Sequence, residues 1–244
     1  MTGLLDGLLD SAAAPTGCDQ AKCEDIRMTT DLDTLVRRCL GLAERARPGH
    51  RPVVGITGAP GAGKSTLARS LARRLGSLAV TVPMDGFHLA QRELDRLGRA
   101  GRKGAPDTFD ASGFAALLHR CATDTETVVY APDFNRGIEE AIAGSIAIGP
   151  DARLVLTEGN YLLLEAEPWH RVRPMLHEAW YLEVPEEVRM ARLLDRHVHF
   201  GRTPDRARAW MAAVDVPNAE LIGRTRERAD LVVALESEPA DQPT

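Results

Sequence analysis

Residues 53–66 read VVGITGAPGAGKST, and this stretch decides how the rest of the chain is interpreted. An apolar run comes first, a glycine-rich turn follows, and a Lys-Ser pair then opens a helical pattern. From Gly58 to Ser65 the residues fit G-x-x-x-x-G-K-[ST] at every fixed position. Average composition produces such a match in roughly one chain of this length per hundred. The stretch therefore predicts a strand, a phosphate-binding loop and a helix in succession.

The side chains of this loop have the chemistry that a bound nucleotide requires. Small residues let backbone N–H groups close around phosphate oxygens, and the helix N-terminus adds partial positive charge. We predict that Lys64 reaches the β- and γ-phosphates and that the Ser65 hydroxyl ligates Mg²⁺. The alternative is a turn that merely contains Lys-Ser, but lysine provides only three of the 30 basic residues. The predicted ATP-binding residues are Gly58, Ala59, Pro60, Gly61, Ala62, Gly63, Lys64, Ser65 and Thr66.

Apolar runs elsewhere in the chain predict the fold. Helical patterns separate most of the runs with strand character, which lie at residues 51–57, 78–82, 127–130, 153–157, 179–184 and 230–234. This alternation is typical of a parallel sheet covered by helices on both faces. We predict a three-layer α/β/α fold with a mainly parallel, five-stranded sheet in a single domain over residues 29–236. Residues 1–28 and 237–244 are expected to be disordered.

Composition narrows the function classes. The 244 residues carry a formal net charge of −5 and no long basic run, which argues against a nucleic-acid partner. No stretch approaches the ~20 apolar residues of a membrane-spanning helix, and residues 1–10 lack the basic start of a signal peptide. The four cysteines form no CxxC pair, so we expect free thiols. These features predict a cytoplasmic protein with a small-molecule substrate and no membrane partner; a homodimer is one alternative for its oligomeric state.

Two carboxylates follow predicted strands, at the sheet edge where open α/β folds bind ligands. Asp85, in the stretch 83–88 (PMDGFH), is placed to accept the proton of an attacking hydroxyl. Its alternative role is to cap a following helix. Glu158 ends the run 154–158 (LVLTE) and would hold Mg²⁺ directly or through water, unless it is an ordinary strand-end carboxylate.

Four segments together resemble the uridine kinase, pantothenate kinase and phosphoribulokinase branch of the P-loop kinases. They are the phosphate loop with residues 84–87 (MDGF), residues 102–110 (RKGAPDTFD), residues 156–161 (LTEGNY) and residues 225–230 (TRERAD). The second and fourth look most like bacterial pantothenate kinases. Overall the chain resembles the uridine-kinase-like proteins labelled fructose transport system kinases. The resemblance covers residues 53–233 and implies a P-loop NTPase fold of the nucleoside and nucleotide kinase type.

The resemblance also implies roles for individual residues. A catalytic aspartate follows the second strand in this group, which is Asp85 here, and a helical lid closes its arginines over the phosphates. Residues 188–197 (VRMARLLDRH) are similar to that lid, which we place around residues 186–204. Arg189, Arg192 and Arg196 share one helix face there. We predict Lys64, Arg192 and Arg196 as catalytic cations. The arginines suit this role because a guanidinium binds phosphate oxygens in a bidentate way; a solvated arginine face is the alternative.

The acceptor side departs from the uridine kinase pattern. Where uridine kinases carry a Tyr-Asp-Phe segment and a histidine, this chain has Pro132, Asp133, Phe134 and Gly137. We therefore expect poor uracil recognition and an acceptor such as a sugar, with nucleosides and pantothenate-like compounds as alternatives. The candidate substrate-binding residues are Asp85, His88, Lys103, Asp107, Asp133, Phe134, Arg136 and Asn160.

The sequence thus predicts an ATP-dependent kinase that phosphorylates a hydroxyl of a small metabolite. The main alternative is an ATP-binding or ATPase protein without a small-molecule acceptor. A regulatory GTPase is a poor alternative, because none of the three asparagines is followed by the lysine of a guanine-reading Asn-Lys-x-Asp element.

Overall fold

The fold is known from a computed structural model that describes residues 27–235. Most of the predicted N-terminal extension and the predicted tail at 237–244 lie outside these residues, as do Cys18 and Cys23. Cys39 and Cys121 are buried and form no disulfide. None of the helices within residues 27–235 has the length and apolar character needed to cross a membrane.

Eight strands and seven α-helices make up the described part of the chain. The strands are β1 (Arg27–Thr30), β2 (Val53–Thr57), β3 (Ala79–Pro83), β4 (Val129–Asn135), β5 (Glu140–Ile148), β6 (Leu154–Glu158), β7 (Glu178–Leu182) and β8 (Leu231–Leu235). The helices are α1 (Leu32–Glu44), α2 (Lys64–Leu75), α3 (Gln91–Arg96), α4 (Ala111–Thr123), α5 (Glu186–His199), α6 (Pro204–Trp210) and α7 (Val216–Gly223).

The central sheet is parallel, with the strand order β1-β8-β7-β2-β6-β3. Its five strands β2, β3, β6, β7 and β8 come from predicted apolar runs, and the predicted parallel α/β/α fold is confirmed. A sixth strand, β1, pairs with β8 at the edge, where Arg27 lies opposite Val232. Arg27 and Met28 therefore belong to the sheet and not to the disordered extension that was predicted for residues 1–28. Pairing with a distant strand stabilises β1, and its four residues are too few to show a pattern that predicts a strand.

The predicted run at 127–130 does not join this sheet. It leads into β4, which pairs in antiparallel fashion with β5 to form a separate hairpin. β5 was not among the strands predicted from the sequence. The hairpin matters for the site because its loop carries Arg136 and Glu139 to the edge of the central sheet.

Helices cover both faces of the central sheet because alternate side chains of each strand point to opposite faces. On β2, Val54 and Ile56 pack with Leu35 of α1 and Leu71 of α2. Val53 packs on the other face, in a second cluster that includes residues of α4 and of segment 161–176. With both faces covered, the strand ends remain as the place where polar side chains can gather.

Candidate active site

The phosphate loop connects β2 to α2 and is shaped by its glycines. Gly58, Gly61 and Gly63 have φ values of 150°, 80° and 94°, a region that residues with a side chain rarely adopt. A Cβ at Gly61 would also lie 2.6 Å from the carbonyl oxygen of Arg189. The loop therefore requires glycine both for its own turn and for the close approach of α5.

Lys64 lies inside the loop with its ammonium group enclosed. Its Nζ donates hydrogen bonds to the carbonyl oxygens of Gly58 and Ala59, at 2.8 and 3.2 Å. Burial lowers the pKa of Lys64 to about 8, although the nearby Glu158 carboxylate acts in the opposite direction. A buried ammonium bonded only to carbonyl oxygens is placed to exchange these contacts for phosphate oxygens.

Ser65 and Glu158 meet at the ends of neighbouring elements. The Ser65 hydroxyl donates to Oε1 of Glu158 at 2.7 Å, and Glu158 pairs with Ile56 in the sheet beside the phosphate loop. Glu158 is buried, and burial followed by the negative charge of Asp85 raises the pKa of its carboxyl group. A divalent cation would offset the unfavourable clustering of these two carboxylates. Hydroxyl and carboxylate oxygens are also the ligands that Mg²⁺ prefers, so the residues fit the metal.

Asp85 projects from the short turn Met84–Phe87 that follows β3. Register places Pro83 opposite Glu158, which brings the two carboxylates to the same edge of the sheet. Arg136, from the β4–β5 hairpin, forms an ion pair with Oδ2 of Asp85 at 3.0 Å. The Asp85 side chain is 31% exposed, so a ligand in solution can reach it.

His88 forms an aromatic wall next to Asp85. Its ring lies between Phe109 and Phe134, with centroid separations of 4.0 and 4.6 Å. Nδ1 is 2.9 Å from the carbonyl oxygen of Asp85, and because a carbonyl only accepts, Nδ1 carries the proton. Burial lowers the pKa of His88, so the ring is neutral at pH 7 and Nε2 can accept a hydrogen bond.

Helix α5 carries the predicted lid arginines against the phosphate loop. Arg189 donates to the carbonyl oxygen of Pro60 at 3.0 Å, and Arg192 to that of Ala62 at 3.4 Å. Arg196 lines the cavity beyond them. The arginine face thus lies over the loop and is not simply a solvated surface.

These groups surround one cavity of about 530 Å³. The predicted residues that line it are Pro60, Gly61, Lys64, Ser65, Asp85, His88, Lys103, Phe134, Arg136, Glu158, Asn160 and Arg196. Two predicted substrate contacts are absent from its lining. Asp107 pairs with Arg99 and Arg102, and the exposed Asp133 accepts a hydrogen bond from the backbone N–H of Phe134. Their polar groups have these partners outside the cavity, in contrast to the expectation from the sequence.

Other lining residues were not among the predicted site residues. Gln91 and Glu139 reach the cavity from α3 and the hairpin, and His197 and Asp215 reach it from α5 and from the π-helical turn Met211–Asp215. His197 lies inside the segment that resembles a lid. However, its partner is 18 residues further along, and no sequence pattern links the two.

Comparisons with known proteins place this chain in a family. No family model matches the chain. A candidate uridine kinase of Schizosaccharomyces pombe is 36% identical over 178 residues, which are 69% of this chain and 74% of that protein. The chain belongs to the P-loop kinases of the uridine kinase branch. An uncharacterised Escherichia coli protein, YggC, is 31% identical over 204 residues, which are 82% of this chain and 84% of that protein.

Solved structures of P-loop kinases agree with this placement. A candidate fructose transport system kinase from Silicibacter sp. TM1040 has a TM-score of 0.73 and 41% identity, covering 81% of this chain and 98% of that one. YFH7 of Saccharomyces cerevisiae has a TM-score of 0.72 at 19% identity, covering 86% of this chain and 100% of that one, and shows the shared fold alone. The predicted resemblance is therefore confirmed, and the kinase-named relatives imply the use of ATP.

Proposed function

We propose that this P-loop kinase transfers the γ-phosphoryl group of ATP to a hydroxyl group of a small polyhydroxy metabolite. The observation that carries the proposal is the position of Asp85. Its carboxylate lines the same cavity as Lys64 of the phosphate loop and is reachable from solvent. A nucleotide-binding protein without an acceptor has no need of a carboxylate at this point.

Asp85 accepts the proton of the acceptor hydroxyl as that oxygen attacks the phosphorus atom. Arg136 orients the carboxylate through the 3.0 Å ion pair. Nε2 of His88 accepts a hydrogen bond from a second hydroxyl of the acceptor, and the ring of Phe134 covers the acceptor's less polar face. These contacts hold the acceptor while Asp85 acts on one oxygen.

The cations act on the phosphoryl group. Lys64 exchanges its two carbonyl contacts for β- and γ-phosphate oxygens, and Arg196 contributes a second positive charge from α5. Arg189 and Arg192 hold α5 against the loop, and Arg192 can turn from the Ala62 carbonyl towards the phosphates. Positive charge aimed at the transferring group stabilises the transition state.

Ser65 and Glu158 would hold Mg²⁺ in this proposal. Within residues 27–235 no cluster of three or more His, Cys, Asp or Glu side chains could hold a metal. A nucleotide-bound Mg²⁺ uses one or two protein ligands together with phosphate oxygens, so Ser65 and Glu158 suffice as its protein ligands. When bound, the metal neutralises charge on the β- and γ-phosphates.

The test is a coupled assay of ADP release in the presence and absence of acceptors. The panel contains sugars, sugar acids, sugar phosphates, nucleosides and pantothenate. We expect at least one hydroxyl compound to raise ADP release by ~10-fold or more and to appear as a phosphorylated product by mass spectrometry. ATP hydrolysis that no acceptor stimulates would favour the acceptor-free ATPase instead.

A further inference from the structure

The cavity is lined by more positive charge than the proposed phosphoryl transfer uses. Five cations line the cavity: Lys64, Lys103, Arg136, Arg196 and Arg202. Lys64 and Arg196 face the phosphates in the proposed reaction, and Arg136 is paired with Asp85. Lys103 and Arg202 remain, and neither has a carboxylate partner within residues 27–235.

Arg202 is held in place by neutral groups. Its Nη1 lies 2.6 Å from Nδ1 of His197, and its guanidinium lies 4.4 Å from the ring centroid of Trp210. A guanidinium can only donate, so Nδ1 of His197 accepts, and Nε2–H of His197 donates to Asp215 at 2.7 Å. His197 and Asp215 are both buried, so the carboxylate is used to orient the imidazole and not to neutralise Arg202.

Arg202 lies beyond the part of α5 that contacts the phosphate loop. Arg189 contacts the loop at Pro60, and the ten residues from there to the end of α5 rise by about 15 Å. Arg202 follows that end, after the turn at Gly201. Its guanidinium reaches back to His197, and its contacts within residues 27–235, with His197 and Trp210, do not involve the phosphate loop. Arg202 lines the cavity together with Asp85.

Lys103 lines the cavity next to Phe134. Its Nζ is 3.4 Å from the amide oxygen of Gln91 and 5.4 Å from the centroid of Phe134, and it also donates to the carbonyl oxygen of Glu139. The neighbouring Gly104 accepts a hydrogen bond from Asn218 at 3.4 Å, which connects the Lys103 loop to the segment that carries Asp215. Both cations therefore line the cavity that contains Asp85.

We propose that the acceptor carries an anionic group, a carboxylate or a phosphate, which binds to Arg202 and Lys103 while one of its hydroxyls faces Asp85. This inference rests on the proposed kinase function and narrows its substrate class to hydroxy acids or phosphorylated polyols. Arginine and lysine that contact only neutral oxygen, nitrogen and aromatic groups are placed to bind such an anion. A neutral sugar would leave both of them without a counter-ion.

The first experiment uses matched acceptors: glycerol, glycerate and glycerol 3-phosphate, and glucose, gluconate and glucose 6-phosphate. We expect an anionic member to exceed its neutral counterpart by at least ~10-fold in kcat/KM. Comparison of glycerate with glycerol 3-phosphate, and of gluconate with glucose 6-phosphate, shows whether the anionic group is a carboxylate or a phosphate. Arg202→Gln and Lys103→Gln should each raise the KM for that acceptor by ~10-fold or more, the worth of a charged hydrogen bond, with a nearly unchanged KM for ATP. Arg206→Gln, which changes an exposed arginine of α6, is the control.

The second experiment does not require turnover. Wild-type protein is loaded with Mg²⁺ and a non-hydrolysable ATP analogue, so that the phosphate loop is occupied, and is titrated with inorganic phosphate or acetate by calorimetry. We expect binding of one anion that Arg202→Gln and Lys103→Gln weaken and Arg206→Gln does not.

The outcomes separate the two proposals. A neutral compound as the best acceptor, or anion binding that both variants retain, overturns the anionic site and leaves the kinase proposal intact. Failure of every acceptor in the full panel counts against the kinase proposal, and the titration then decides the anion site alone. If neither phosphate nor acetate binds at tens of millimolar, the anionic site is also overturned.

Discussion

Replacing Asp85 by asparagine should lower the catalytic rate while leaving the fold intact. The variant retains the shape of the side chain and removes its ability to accept a proton. We expect kcat to fall by about 10²–10⁴-fold, the usual contribution of positioned proton transfer. ATP binding should change little, because Asp85 lies on the acceptor side of Lys64.

The structure also bounds the effect of this change on stability. The Asp85–Arg136 pair is 31% and 44% exposed, and ion pairs at such positions contribute about 0–1 kcal/mol. For a chain of this size a loss of that amount lowers Tm by no more than about 2–4 °C. The variant should therefore be folded and inactive.

The assay compares kcat, ATP affinity by calorimetry and Tm for wild type, Asp85→Asn and Asp151→Asn, a control that changes an exposed loop carboxylate. Asp151→Asn should match wild type in all three measurements. Retention of more than about a tenth of wild-type kcat by Asp85→Asn would refute its role as the base. Loss of ATP affinity by a similar factor would place Asp85 in the nucleotide site instead.

Two further predictions concern the phosphate side of the cavity. Glu158→Gln should lower kcat at low Mg²⁺, and its kcat should recover as the metal concentration rises, whereas the kcat of Asp85→Asn should not recover. A Mg²⁺ titration of both variants checks this. Recovery of Asp85→Asn but not of Glu158→Gln would exchange the two roles. Because the pKa of Lys64 is about 8 in the free protein, ATP binding should take up a proton above pH 8 but not at pH 6.5, and affinity should fall as pH rises through this range. Calorimetry in buffers of different ionisation enthalpy measures the uptake, and equal uptake in Lys64→Ala would assign it to another group.

The sequence signals on the phosphate side of the site are local. Gly58 to Ser65 lie within one turn between a strand and a helix, and the loop conformation follows from residues that are neighbours in the chain. Glu158 and Asp85 each follow a buried strand, and parallel strands bring their carboxyl ends to one edge. A short sequence pattern and one topological rule are therefore sufficient to bring the phosphate loop, Asp85 and Glu158 to the same edge of the sheet.

The elements that the sequence missed depend on distant partners. β1 is stabilised by β8, some 200 residues away, and nothing in its four residues requires a strand. β5 carried a usable signal, since Ile142, Ile146 and Ile148 recur at even spacing, but most of the strand is at least partly exposed and its apolar pattern is weak. The motif around Asp107 suggested a substrate contact. In the structure its carboxylate pairs with Arg99 and Arg102 of the preceding segment.

The acceptor side shows why substrate choice is harder to infer than nucleotide use. His88 and Lys103 come from loops after β3, Arg136 from the hairpin, and Arg202 from the segment after α5. Each is positioned by a contact outside its own segment. The contacts are with Phe134 for His88, with the carbonyl of Glu139 for Lys103, with Asp85 for Arg136, and with His197 and Trp210 for Arg202. Because none of these contacts involves the phosphate loop, substitutions in the hairpin or in residues 200–218 can change the acceptor without altering the ATP site. Acceptor specificity in this chain should therefore respond to changes at Arg202 and Lys103 before it responds to any change in residues 58–66.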